Sequence, residues 1–165
     1  MANNNNFVLS EAARNKIDQW ATRYPADKKQ SAVIQALTIV QEENSGWLSN
    51  DALDAVAEYL EMPKIAVYEV ATFYSLFDLE PVGRHKIAVC KNISCMLCGG
   101  DDIVTHIENK LGIKLGETTP DNKFTLKCEE ECLAACAGAP MMAVNGHYYE
   151  NLTPEKVDAI LDSLE

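Results

Sequence analysis

The side chains in this sequence best suited to metal or redox chemistry are six cysteines, Cys90, Cys95, Cys98, Cys128, Cys132 and Cys136, all in its second half. Three fall within VCKNISCMLCGG (residues 89–100) and three within CEEECLAAC (residues 128–136). Thiolates bind soft metals, hold iron–sulfur clusters or exchange disulfides, and spacing and surroundings decide which. Cysteines that serve only as small hydrophobes scatter through a core, whereas these gather in two short loops. In a reducing compartment such a set points to metal binding or redox chemistry rather than to a disulfide framework.

Spacing alone leaves four arrangements open. Cys95-x2-Cys98 with Cys128-x3-Cys132 offers four thiolates to a structural zinc ion. Cys95-Met96-Leu97-Cys98, just before a helix, is a C-x-x-C dithiol that needs no metal, but it gives Cys90, Cys132 and Cys136 no task. Cys90-x4-Cys95-x2-Cys98 followed by Cys128 has the spacing of a plant-type [2Fe–2S] ferredoxin, whose β-grasp sheet has no counterpart here. Cys90-x4-Cys95 with Cys132-x3-Cys136 supplies two thiolates from each of two loops, as a [2Fe–2S] rhomb requires. His85, His106 and His147 are widely separated and match no ligand motif, which argues against a Rieske-type site.

The elements that must position these thiols divide into two halves, 1–80 and 84–165. The first half has no cysteine and reads as helices. Ser10 caps a first helix that stops before Pro25. SAVIQALTIVQEE has a buried face of Val33, Leu37 and Val40, with Ile34 and Ala36 beside them, and ends at Asn44 and Gly46. Ser49, Asn50 or Asp51 caps a third helix with Leu53, Val56, Ala57 and Leu60 on one face. Pro63 suits the first turn of a fourth, with Val67, Val70, Ala71 and Tyr74. Phe73, Tyr74 and Phe77 in ATFYSLF share helical spacing, which predicts core packing ahead of a partner-docking role.

The second half changes pattern. HKIAVC reads as a strand followed by a loop, and a helix over residues 101–110 carries Ile103, Val104, Ile107 and Leu111. KFTLKC is a second strand. Asn145-Gly146 is a two-residue hairpin turn, and Thr153 with Pro154 starts a last helix with Val157, Ile160, Leu161 and Leu164 inward. Strand, helix, strand, hairpin, helix is the order of a thioredoxin-like core. The expected class is α+β, a helical bundle followed by a thioredoxin-like domain.

Composition narrows the function. With 14 Lys and Arg against 25 Asp and Glu, the formal charge is −11. Such a chain repels phosphate backbones and anionic membranes, so neither nucleic acid nor direct membrane contact is expected. No G-x-G-x-x-G or other dinucleotide fingerprint occurs, so NADH and flavin are not expected to bind this chain. MANNNNFVLSEAARNK lacks the form of a signal peptide, and no apolar run reaches the length of a membrane span. A cytoplasmic protein is expected, attached to a membrane only through a partner.

Four stretches, GWLSNDALDAVAEYL, VYEVATFYSLF, PVGRHKIAVC and ECLAACAGAPMM, resemble in sequence and order the 24 kDa-type subunits of NADH:quinone oxidoreductase, respiratory complex I. The resemblance covers both halves of the chain. It implies a helical region joined to a thioredoxin-like [2Fe–2S] ferredoxin domain, with Cys90, Cys95, Cys132 and Cys136 as cluster ligands and no catalytic residues. Cys98 and Cys128 fall outside the family motif. The implied partners are a flavoprotein subunit that binds FMN and NADH and the rest of the hydrophilic arm, peripherally attached to the inner (cell) membrane through the complex. The cluster would exchange single electrons with the flavin, as a side acceptor. Two other settings fit the residues: the equivalent subunit of an NAD-linked hydrogenase or formate dehydrogenase, or a free-standing thioredoxin-like dithiol oxidoreductase using Cys95 and Cys98. Glu129, Glu130 and Glu131 before Cys132 would disfavour an added electron, while backbone N–H groups near Gly99, Gly100 and Gly138 would favour it.

Overall fold

The computed structural model describes residues 7–127 and 132–165. They belong to two compact units, Met1–Pro81 and Val82–Glu165.

The first unit is helical. Ser10 starts α1 (Glu11–Ala21) by accepting the Ala13 N–H at 2.9 Å. A 3₁₀ stretch, Ala26–Ala32, kinks at Lys28 and leads into α2 (Val33–Glu43), so the turn after Pro25 is more regular than the sequence suggests. Ser49 caps α3 (Asn50–Tyr59) by accepting the Ala52 N–H at 3.2 Å. Pro63 stands immediately before α4 (Lys64–Phe73), where its missing N–H costs nothing. Ile17, Leu37, Leu48, Leu53, Val56 and Val67 fill the interior. Full burial of such a side chain stabilises by about 2 kcal/mol. Gln41 is the buried polar exception: its Nε2 donates to Leu76 O (3.1 Å) and its Oε1 accepts from Asp78 N–H (2.8 Å), tying the segment after α4 to α2.

α4 corrects one expectation. It ends at Phe73, and Tyr74 leaves in an extended conformation. Phe77 is buried, but Phe73 is 76% exposed and Tyr74 also reaches solvent. The helical period that predicted a common core stripe stops before it reaches Phe77.

The second unit is a four-stranded sheet with helices. Its strands are β1 (His85–Val89), β2 (Phe124–Lys127), β3 (Met142–Val144) and β4 (His147–Tyr149), in spatial order β2-β1-β3-β4. β1 pairs with β2 in parallel and with β3 antiparallel, with Ile87 opposite both Leu126 and Val144. The parallel pair requires a crossover, which includes α5 (Ile93–Leu97) and α6 (Gly100–Leu111). α5 lies where the sequence predicts a loop. Asn145 (φ +49°) and Gly146 (φ +80°) turn β3 into β4, the double positive φ of the favoured hairpin turn. Asn145 also ties the turn to β1, its Oδ1 accepting from Lys86 N–H at 2.8 Å. Thr153 caps α7 (Pro154–Ser163). Ile87, Ile107, Leu126, Met142 and Val157 form the centre of this core. Among the described residues, no helix is long and apolar enough to cross a membrane.

Candidate metal centre

Two loops meet beside the sheet. The first leaves β1 at Cys90, whose N–H still follows the sheet and donates to Met141 O at 3.1 Å. Asn92 then caps α5, its side chain accepting the Ile93 N–H, and the helix turns Cys95 inward. Cys90 and Cys95 are buried, packed with Met141 and flanked by Leu133, Ala135 and Ala139. Gly99, at φ +91°, reverses the chain into α6. Gly100 then lies hard against the loop: a Cβ there would stand 2.9 Å from Cys95 O and 3.1 Å from Cys90 O.

The second loop contributes Cys132 and Cys136, both exposed. Their sulfurs are 3.6 Å apart. Ala134 between them adopts φ +60°, and its N–H donates to Cys132 Sγ at 3.3 Å. A 3₁₀ turn, Cys136–Gly138, closes the loop.

The two pairs face each other. The Cys95 and Cys132 thiols stand close enough to Cys90 to act on its ionisation. Burial works against a thiolate at Cys90, but N–H donation from Leu133 and Asn92, together with the two thiols, holds it below the ordinary thiol range. At Cys95 burial dominates and, with the bond to Cys90, pushes the thiol up to about 11 despite N–H donation from Met141. At Cys132 the Ala134 N–H favours the thiolate, but the Cys136 thiol, desolvation and the charges of Cys136 and Cys90 outweigh it, leaving the thiol above its ordinary value.

This donor set fits a [2Fe–2S] cluster. Two thiolates sharing one tetrahedral metal with bonds of ~2.3 Å lie roughly 3.8 Å apart, close to the Cys132–Cys136 spacing. Backbone N–H groups aimed at sulfur are the second shell such a cluster uses to offset its negative charge. Those donors are Leu133, Asn92, Met141 and Ala134. By contrast, the Gly99 and Gly138 N–H groups are engaged with Met96 O and Ala135 O. Among the described residues, no three His, Cys, Asp or Glu side chains form a group that could hold one metal ion.

The model of the thioredoxin-like [2Fe-2S] ferredoxin family matches residues 17–165. The chain belongs to this family. The ferredoxin is 47% identical over 157 residues to the E subunit of NADH-quinone oxidoreductase from Rickettsia felis, covering 95% of this chain and 93% of the relative. It is likewise 47% identical over 150 residues to the E 2 subunit of NADH-quinone oxidoreductase from Rhizobium meliloti, covering 91% and 87%. Its fold is shared with a chain in the crystal structure of an air-oxidised NAD+-reducing [NiFe]-hydrogenase. There the TM-score is 0.66 at 20% identity, covering 78% of this ferredoxin and 22% of the hydrogenase chain.

Of the remaining thiols, Cys98 is exposed at the C-cap of α5, while Cys128 lies outside the described residues, as do Glu129, Glu130 and Glu131. The histidines do not join the centre: His85 bonds Glu165 O, His106 pairs with Asp158, and His147 packs on Tyr149. Two contributors escaped the sequence reading. The αL conformation of Ala134 has no signal in an alanine, and α5 is too short to show a period.

Proposed function

We propose that this ferredoxin is an electron-transfer subunit of an NADH:quinone oxidoreductase, holding one [2Fe–2S] cluster on Cys90, Cys95, Cys132 and Cys136. The observation that carries the reading is the meeting of these four thiols from two loops, in a chain 47% identical over nearly its full length to an NADH-quinone oxidoreductase relative. A bound [2Fe–2S] cluster supplies one-electron acceptance and release. The chain's own residues do the rest. Cys90 and Cys95, fixed by β1 and α5, form the buried side of the centre, and Cys132 and Cys136 form the exposed side. Leu133, Ala135, Ala139 and Met141 keep water from the buried pair. Asn92, Leu133, Met141 and Ala134 offset the thiolate charge through their N–H groups.

The chain has no dinucleotide-binding fingerprint, so FMN and NADH belong to a flavoprotein subunit with which the cluster exchanges single electrons. Membrane attachment then runs through the assembled complex. An equivalent role in an NAD-linked hydrogenase or formate dehydrogenase is the second reading. The near full-length identity to the Rickettsia and Rhizobium relatives favours the first. A dithiol oxidoreductase fits the geometry less well, because the Cys95 thiol engages Cys90 while Cys98 is exposed.

Purification from its native source tests the proposal. The chain should be isolated with an FMN-containing subunit, and alone it should bind neither FMN nor NADH. An isolated chain that oxidised NADH would contradict it.

A further inference from the structure

The loop that carries Cys132 and Cys136 is irregular, with both thiols exposed and Ala134 at positive φ, and it is held from outside. The segment between β4 and α7 does this. Asn151 N–H donates to Gly138 O at 2.7 Å, and Leu152 N–H donates to Pro140 O at 2.9 Å. That segment is itself anchored: Leu152 is buried in the core, Thr153 caps α7, and Lys156 Nζ donates to Glu150 O. The clamp on this loop is the counterpart of the Cys90 N–H bond to Met141 O on the other.

Glu150 adds a side-chain contact to the clamp. Gly138 is buried, and Glu150 fills the space where its Cβ would stand. A Cβ there would lie 2.5 Å from Glu150 Cβ and 2.6 Å from Glu150 Cδ. Glu150 Cβ is fixed to its own backbone, so no side-chain rotation clears it. Gly138 has no positive φ, so it is space, not backbone freedom, that requires glycine here.

The same contact brings the Glu150 carboxylate to the exposed side of the centre, with Oε2 against Gly138. Cys136 begins the 3₁₀ turn that ends at Gly138. A turn with a rise of about 2 Å per residue leaves the carboxylate within about 10 Å of Cys136, where salt screens a charge only in part. Lys156 takes the Glu150 carbonyl, and among the described residues no cation pairs with the carboxylate.

Building on the electron-transfer reading, we propose that Glu150 is a positioning residue of the metal centre. Its stem packs on Gly138 and so seats Cys136, and its carboxylate holds a fixed negative charge beside the Cys132–Cys136 pair. An electron added to a bound cluster meets that charge, so Glu150 lowers the affinity of the centre for the electron.

The test is a potentiometric EPR titration of the full-length, cluster-loaded chain. Glu150→Gln keeps the packing on Gly138 and removes the charge. At the potential that half-reduces the wild type, its reduced-to-oxidised ratio should rise at least about threefold, or about 28 mV by the one-electron relation. Glu150→Asp retains the charge and should stay near the wild-type ratio. Gly138→Ala should lower both the iron content and the thermal midpoint, and adding Glu150→Ala should recover part of each. An unshifted ratio in a Glu150→Gln protein with full iron, or equal shifts in the Gln and Asp variants, would overturn the assignment. So would a Gly138→Ala defect that Glu150→Ala does not relieve. If Glu150→Gln loses its cluster, Glu150→Asp decides: wild-type iron and ratio support the role of the charge, and loss in both variants overturns it. A wild-type chain that binds no iron would instead overturn the electron-transfer reading on which the assignment rests.

Discussion

Ala134 donates its N–H to the sulfur of Cys132 over 3.3 Å, and it does so from the left-handed region at φ +60°. An L-residue with a Cβ is strained there by about 1 kcal/mol or more, so the loop holds Ala134 against its own preference. Glycine takes this conformation freely but loses more entropy on folding. Ala134→Gly should therefore leave the thermal midpoint unchanged or raise stability by up to about 1 kcal/mol, with the cluster spectrum retained. Ala134→Val, whose branched side chain is still less suited to positive φ, should destabilise by about 1–3 kcal/mol and make the cluster labile in air. Thermal melts followed at the cluster absorbance check both. A strongly destabilised glycine variant would refute the strain argument.

Gln41 sets a second test, in the helical unit. Its buried amide satisfies both Leu76 O and Asp78 N–H. Gln41→Leu removes both partners at nearly constant volume and should cost about 2–4 kcal/mol, since each orphaned group retains much of its desolvation penalty. Urea unfolding measures the loss. Hydrogen exchange should rise first at the Asp78 amide.

The α6–α7 contact carries a pH dependence. His106 hydrogen-bonds Asp158, and Lys110 pairs with both Asp158 and Asp162. The bond from His106, aided by Lys110, holds the Asp158 carboxyl below its ordinary value. A depressed carboxyl contributes stability that is full above its unfolded pKa and is lost as pH falls through the folded value. Unfolding midpoints should thus decline as pH drops below about 4, and Asp158→Asn should reduce that slope without altering the neutral-pH spectrum. Because Asp158 is partly exposed, added salt should shrink the difference.

The sequence was easiest to read where the determining interactions are local. Ser10, Ser49 and Thr153 cap helices through bonds to residues three positions on, and Asn145-Gly146 turns a hairpin that its own backbone conformation defines. Phe73 misled because its spacing to Phe77 was taken for one helical stripe, whereas α4 ends at Phe73 and buries Val67 and Ala71 instead. The C-x-x-C of Cys95 and Cys98 is likewise a local signal, and the fold sets it aside by turning Cys95 into the core and leaving Cys98 in solvent. Which thiols face one another is a non-local matter. It depends on β1 lying between β2 and β3, so that the loop leaving β1 meets the segment leading into β3. Neither loop encodes that meeting alone.

The most direct measurement of the central claim is iron and sulfide analysis, with visible and EPR spectra, on the purified chain and its single Cys→Ser variants. The wild type should hold equal iron and sulfide in [2Fe–2S] stoichiometry. Cys98→Ser should retain the cluster, and Cys90→Ser, Cys95→Ser, Cys132→Ser and Cys136→Ser should each lose it or alter its spectrum. A chain that lost its cluster with Cys98→Ser yet kept an unaltered one with Cys132→Ser would contradict this ligand assignment.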